Sequence, residues 1–236
     1  MAPSIPRLQA RRARAKRILA LLEAAHPEAT CALTYRNAFE LLVATILSAQ
    51  CTDERVNRVT PTLFQRFPAA AHLAQADLPE VEELVRSTGV YRAKSKSLVA
   101  CARALVERHS GQVPARMDDL VQLPGIGRKT ANVVLGHAFA VSAGIAVDTH
   151  VLRVANRLGL ASSENPEEVE QALIDLWPRS RWTHAGDVLI FHGRKICAAR
   201  KPRCGGCPVS ALCRWPGRSH AGAPAGRRPG RAGPAR

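Results

Sequence analysis

The sequence lacks any apolar run long enough to cross a bilayer. The best candidate, residues 41–49, is interrupted by Thr45 and Ser48 and falls far short of the roughly 20 residues a spanning helix requires. It also lacks the continuous apolar segment of a secretory signal; an Arg-rich, acid-free start is compatible with a transit peptide, but a DNA-contacting or solvated tail is the preferred reading. Aromatic residues make up only 4%, which argues against single-strand binding by rows of stacked bases. Acids are missing from both ends: residues 1–17 carry six basic side chains and residues 214–236 carry six arginines, with no Asp or Glu in either stretch. These ends supply 12 of the 15 excess positive charges. The basicity therefore points to a polyanionic partner mainly through the termini, by attraction that ignores base sequence.

What is present fits a globular protein with one or two cores: 236 residues, 46% hydrophobic and 22% charged. Two-residue alternation is nowhere sustained, whereas apolar positions recur at helical spacing, as in Leu19, Leu22 and Ala25, or Leu41, Leu42, Ile46 and Leu47. An all-α fold of about ten helices is predicted between Arg7 and His192. Pro27 should close the first helix, Pro79 and Pro166 should each open one, and Gly89 should end another. Residues 216–236 hold Gly, Pro, Ala and Arg without an apolar period, so a disordered tail is expected there.

Chemistry concentrates in three places. Residues 123–135 read LPGIGRKTANVVL. Pro124, Gly125 and Gly127 would make a tight turn with unusual backbone angles between a short helix from Met117 and a second carrying Val133, Val134 and Phe139. Such a turn aims backbone N–H groups at an anion, and Arg128 adds charge beside it. Lys129 stands out because the chain uses 28 arginines and only six lysines. A simple phosphate contact would favour arginine; a lysine can lose its proton and act as an amine nucleophile. Nineteen residues on, in the segment VDTH, Asp148 is placed to cap a helix with Val151, Val154 and Leu158 on its apolar face. A carboxylate held there by backbone N–H groups would stabilise positive charge better than it would serve as a strong base.

The third place is the cysteine cluster. Seven cysteines are an odd number, and four lie close together as C-x6-C-x2-C-x5-C at Cys197, Cys204, Cys207 and Cys213. That is a metal site rather than a disulfide framework. Only one C-x2-C knuckle is present, unlike a zinc ribbon, and the spacing differs from common ferredoxin patterns, so ligand spacing leaves iron–sulfur and zinc equally open. Arg200, Lys201 and Arg203 inside the first cysteine loop form a candidate phosphate-contact element. Cys31, Cys51 and Cys101 read as small buried hydrophobes.

The hairpin, the VDTH segment and the cysteine ending, in this order, resemble the endonuclease III family of helix-hairpin-helix DNA glycosylases, from about Lys16 to Cys213. The resemblance implies a six-helix barrel at residues 31–142, with the hairpin at 117–139. It also implies an iron–sulfur cluster domain from residues 16–30 and 143–215, a basic tail at 1–15 and the C-terminal tail at 216–236. It further implies a structural 4Fe-4S cluster on the four cysteines, with zinc the alternative, and a bifunctional DNA glycosylase and AP lyase of base excision repair. Lys129 would attack C1′ of a flipped, damaged nucleotide, commonly an oxidised pyrimidine, and β-elimination would cut 3′ to the site, with Asp148 assisting. Gln50, in the loop LSAQCTD, would fill the hole left by the flipped base. Val90 falls where the family often has a wedging leucine, so a weaker wedge is expected. The partner would be double-stranded DNA with damaged bases or abasic sites, met by a monomer in the cytoplasm at the nucleoid and away from membranes. Two alternatives remain. One is an adenine mismatch glycosylase, disfavoured by the presence of Lys129, by Ala44-Thr45 where a glutamate is expected, and by only 23 residues after Cys213. The other is a non-catalytic DNA-binding module.

Overall fold

The computed structural model describes residues 5–219, and within them every regular element is helical. In chain order these are α1 (Ile5–Ala25), α2 (Ala38–Leu47), α3 (Asp53–Arg66), α4 (Ala70–Ala74), α5 (Leu78–Val85) and α6 (Tyr91–His109). There follow α7 (Met117–Leu120), α8 (Arg128–Ala138), α9 (Thr149–Leu158), α10 (Pro166–Ile174) and α11 (Trp182–Lys195). No described helix is long and apolar enough to cross a membrane.

The breakers act as their chemistry dictates. Pro79 and Pro166 lie in the first turns of α5 and α10, where a missing N–H costs nothing. Gly159 ends α9 in the left-handed conformation, its N–H bonded back to the helix. Gly89 lies after α5 and a short 3-10 turn, Arg86–Thr88.

Two hydrophobic cores form. One runs from Leu33 to Leu135 and is built on α2 to α8. Its central helix is α2, apolar nearly all round and buried from Glu40 to Leu47. Glu40 is tolerated there because Arg36 pairs with it at 2.5 Å. The second core joins Ala15–Ala29 to residues Ile145–Val209, so the chain leaves it after α1 and returns at α9. Polar pairs cross between the cores: Arg128 with Glu170, His137 with Asp187, and Arg194 with Asp53.

The helix α1 reaches into the stretch expected as a basic tail. Its arginines find carbonyl oxygens that helix ends leave unpaired: Arg12 donates to Asp175 O at 2.8 Å, and Arg14 to Leu158 O and Leu212 O. From Ile5 on, this segment is a docked helix. Residues 1–4 and most of the expected C-terminal tail, 220–236, lie outside the described residues.

Candidate active site and metal centre

The hairpin turn between α7 and α8 has one glycine whose backbone demands it. Gly125 has φ +80°, and a Cβ there would lie 2.9 Å from Ser97 Cβ. Gly127, expected to share that geometry, is instead extended (φ −95°), and a Cβ on it would meet nothing within 4 Å. No side chain caps α8, so its first N–H groups are left for an anion, and a bare Gly127 keeps the approach clear. The Arg128 guanidinium is turned away to the second core, donating to Glu170 at 2.7 and 3.2 Å. That pair fixes the hairpin against α10.

Lys129, exposed in the first turn of α8, and Asp148 at the N-cap of α9 line one cleft of about 300 Å³ between the two cores. That volume suits a small organic group. Asp148 Oδ1 accepts from the backbone N–H groups of His150 and Val151, both at 2.8 Å. The carboxylate is thus held in place by the start of its own helix and presented to the space that Lys129 enters. Neighbouring His150 is held toward its neutral form by burial, in keeping with a bystander role.

Gln50 and Val90 are both exposed and both left-handed, at φ +53° and +46°. For a β-branched residue such a conformation is a true outlier, costing about 1–3 kcal/mol, and Val90 is 61% exposed, so no packing offsets it. The two loops meet through Lys94, a lysine only 6% exposed. Its Nζ donates to Leu47 O, at the end of α2 just before the Gln50 loop, at 2.8 Å, and to Thr88 O, just before Val90, at 2.6 Å. Burial pushes its pKa down. Replacing Lys94 by methionine should remove both bonds and strand two carbonyls, lowering stability by about 2–4 kcal/mol in urea unfolding.

The four clustered cysteines surround one pocket beneath α9 and α11, shared with Arg157, His192 and Trp215. Arg157 organises it, donating to Cys197 Sγ at 3.4 Å and to Ala198 O and Ala199 O while stacking 4.2 Å over the Trp215 ring. His192, buried and pushed down to about 4 by desolvation and by His26, places Nε2 3.6 Å from Cys207 Sγ. Burial pushes the Cys207 thiol up, and the other three cysteines push the same way, a repulsion that a bound cation would reverse. Among the described residues no three His, Cys, Asp or Glu side chains gather tightly enough to hold a single metal ion. Of the basic loop, Arg200 and Lys201 are exposed, while Arg203 donates to Lys195 O. Cys31 and Cys101 are thiols pushed up by burial to about 11 and about 12. Cys101 is fully packed, but Cys31 and half-buried Cys51 sit at the edge of the first core, and Cys31 also lines the cleft.

Sequence reading missed His137, Asp187 and Lys94. His137 carried a signal, since Lys129, Val133 and His137 repeat at i, i+4 and i+8 along α8 and all line the cleft. Asp187 carried none, because its partner lies 50 residues away.

Residues 43–179 match the family described as HhH-GPD superfamily base excision DNA repair protein. The chain is 50% identical over 213 residues to endonuclease III of Synechocystis sp., covering 90% of this chain and 97% of that protein. It is 41% identical over 198 residues to endonuclease III of Escherichia coli K12, covering 84% and 93%. A solved structure described as a trapped endonuclease III–DNA covalent intermediate superimposes with a TM-score of 0.83 at 42% identity, covering 86% of this chain and 95% of that one. An all-helical fold, an uncapped hairpin helix and relatives of this similarity along nearly their whole length agree: the chain belongs to the HhH-GPD superfamily of base excision DNA repair proteins, in its endonuclease III family.

Proposed function

We propose that this protein is a DNA glycosylase and AP lyase of base excision repair that works through Lys129. The observation that carries the reading is that Lys129 and Asp148, 19 residues apart, open onto one cleft beside the uncapped N-terminus of α8. The hairpin N–H groups and Gly127 hold a phosphate, Gln50 and Val90 enter the duplex from two loops joined by Lys94, and the displaced nucleotide enters the cleft. The Lys129 amine attacks C1′ and gives up a proton while the base departs with the bonding electron pair and is protonated; the C1′–O4′ bond then opens to give the iminium, and loss of a C2′ proton in β-elimination breaks the C3′–O bond to the 3′ phosphate. Asp148, fixed through Oδ1, stabilises the positive charge that develops at the sugar. The family's oxidised pyrimidines are the proposed substrates, and one chain supplies every residue invoked, which supports action as a monomer on nucleoid DNA.

The two hydrophobic cores are read as a barrel domain and a cluster domain with the cleft between them. Cys197, Cys204, Cys207 and Cys213 are the proposed ligands of a 4Fe-4S cluster. A single zinc would need its sulfurs all about 2.3 Å from one point, whereas among the described residues no three of these side chains gather that tightly, which favours a polynuclear group. When bound, the cluster supplies structural cross-linking; the chain's own part is to hold Arg200, Lys201 and Arg203 on the enclosed loop, where Arg200 and Lys201 face phosphate.

Borohydride reduction of the wild-type protein with an abasic-site duplex tests the reading. A covalent adduct mapped to Lys129 is expected; its absence would leave a DNA-binding module. Asp148→Asn should keep duplex affinity within about threefold while slowing cleavage about 10²-fold or more, the scale of losing one electrostatic stabiliser. Quench-flow assays and a binding titration check both halves, and an equal loss of affinity would reduce Asp148 to a helix cap.

A further inference from the structure

Beyond Lys129 the cleft is lined by a second pair of ionisable groups, His137 and Asp187. His137 Nε2 lies 3.1 Å from Asp187 Oδ1, and both side chains are 12% exposed. The pair sits where α8 and α11 come together, since a Cβ on Gly136 would lie 2.5 Å from Thr183 Cγ2. Away from that contact the two helices line the cleft, α8 with Val133 and Lys129, α11 with Ile190, Phe191 and Arg194. His137 is eight residues from Lys129, about 12 Å along the helix axis at 1.5 Å per residue. Val133 lies midway along α8 between Lys129 and His137, and with Ile190 and Phe191 it gives the cleft an apolar stretch between the lysine and Asp187.

Three further carboxylates line the cleft. Asp53 accepts from Arg194 at 2.6 Å, Asp148 is tied by two backbone N–H groups near the lysine, and Glu28 comes from the loop after α1 rather than from the α8–α11 seam. Asp187 Oδ2 accepts no hydrogen bond from the described residues. The loop after α8 is tied to this region without the pair, since the Ser142 and Thr183 hydroxyls meet at 3.2 Å and Arg179, in the turn before α11, donates to Ser142 O at 2.8 Å. Nor is the pair placed to protonate the departing base at its bond to the sugar, since that ring atom stays beside C1′ and hence beside Lys129, two helical turns away.

Resting on the glycosylase reading above, we propose that Asp187, oriented by His137, selects the base: its free carboxylate oxygen accepts a hydrogen bond from an N–H on the base edge remote from the sugar. The pocket then takes pyrimidines, ring-saturated ones included, that keep an imide N–H at that edge. It rejects those alkylated there, because a methyl group would cover the carboxylate and exclude water without giving it a donor.

The test compares single-turnover excision of 5,6-dihydrothymine with cleavage of the same duplex carrying a preformed abasic site, where no base occupies the pocket. Asp187→Asn keeps the shape and the acceptor for His137 but replaces the free oxygen with an amide donor. The ratio of excision to abasic-site cleavage is expected to fall about 10- to 100-fold. Wild type should excise 3-methyl-5,6-dihydrothymine at least about 10-fold more slowly than dihydrothymine, and this difference should collapse in the variant. His137→Leu, which frees the carboxylate to rotate, should lower the ratio, while His137→Gln, with a donor retained, should restore most of it; this pair carries the test should Asp187→Asn not fold. An unchanged ratio in Asp187→Asn, or a methyl penalty equal in both proteins, overturns the proposal. Should wild type form no borohydride adduct, the glycosylase reading fails instead, so the two failures are distinct.

Discussion

Replacing Lys129 by glutamine should lower single-turnover cleavage of an abasic-site duplex by about 10³-fold or more, a change in barrier of about 4 kcal/mol. The reason is qualitative: a carboxamide cannot form an iminium with C1′, so the covalent route closes and only bound, uncatalysed elimination remains. The fold should be untouched, because Lys129 is exposed and the apolar face of α8 is carried by Ala131, Val134 and Leu135. The same variant separates chemistry from charge. Were Lys129 only a phosphate contact, glutamine would weaken binding over all sequences and reduce the salt slope by about one, and cleavage would fall only in proportion to occupancy. Measuring both at two salt concentrations decides between them. A variant that cleaves at more than a tenth of the wild-type rate would remove the lysine from the mechanism.

Replacing Cys207 by serine should have the second large effect, on the enclosed loop rather than on the barrel. Within residues 196–215 Val209 and Pro202 are buried, and the loop is further held by Arg153 to Cys197 O, by Arg157, by Arg14 to Leu212 O and by the four cysteines round their pocket. Removing one ligand breaks a cross-link whose binding energy is coupled to folding. Arg200 and Arg203 are trypsin sites, while Lys201 is shielded by the following Pro202, so limited tryptic digestion should cut after the two arginines at least about 10-fold faster than in wild type, equivalent to about 1.4 kcal/mol of local opening. Iron and acid-labile sulfide should fall together in the purified variant, with the absorbance near 400 nm. Stoichiometric zinc in a colourless wild-type protein would replace the cluster with a single-ion site, and unchanged digestion would mean that the loop is held by its protein contacts alone.

Much of this protein could be read from residue order. Helical spacing predicted the all-α fold, Pro79 and Pro166 marked helix starts, and Asp148 was recognisable as a cap because short polar residues before an apolar period have few other uses. The cysteine spacing marked a candidate metal centre, and the four side chains line one pocket. Other features were misread where a distant partner decides the outcome. The first basic residues look like a solvated tail until Arg12 and Arg14 are seen to meet carbonyl oxygens near residues 158–212. Arg128 looks like a phosphate contact until Glu170 is found opposite it.

The sequence by itself determined what depends on local chemistry and short spacing: the helices, their caps, the glycine at residue 125, the proposed nucleophile and the four clustered thiols. Only the tertiary structure decided which groups share a space. It brought Lys129 and Asp148 to one cleft, joined the Gln50 and Val90 loops through the buried Lys94, and set Asp187 beside His137. The physical reason is range. Propensity, capping and turn geometry act within a few residues along the chain, whereas hydrogen bonds and ion pairs act within a few ångströms of space, and two helices from separate cores must pack before those distances exist.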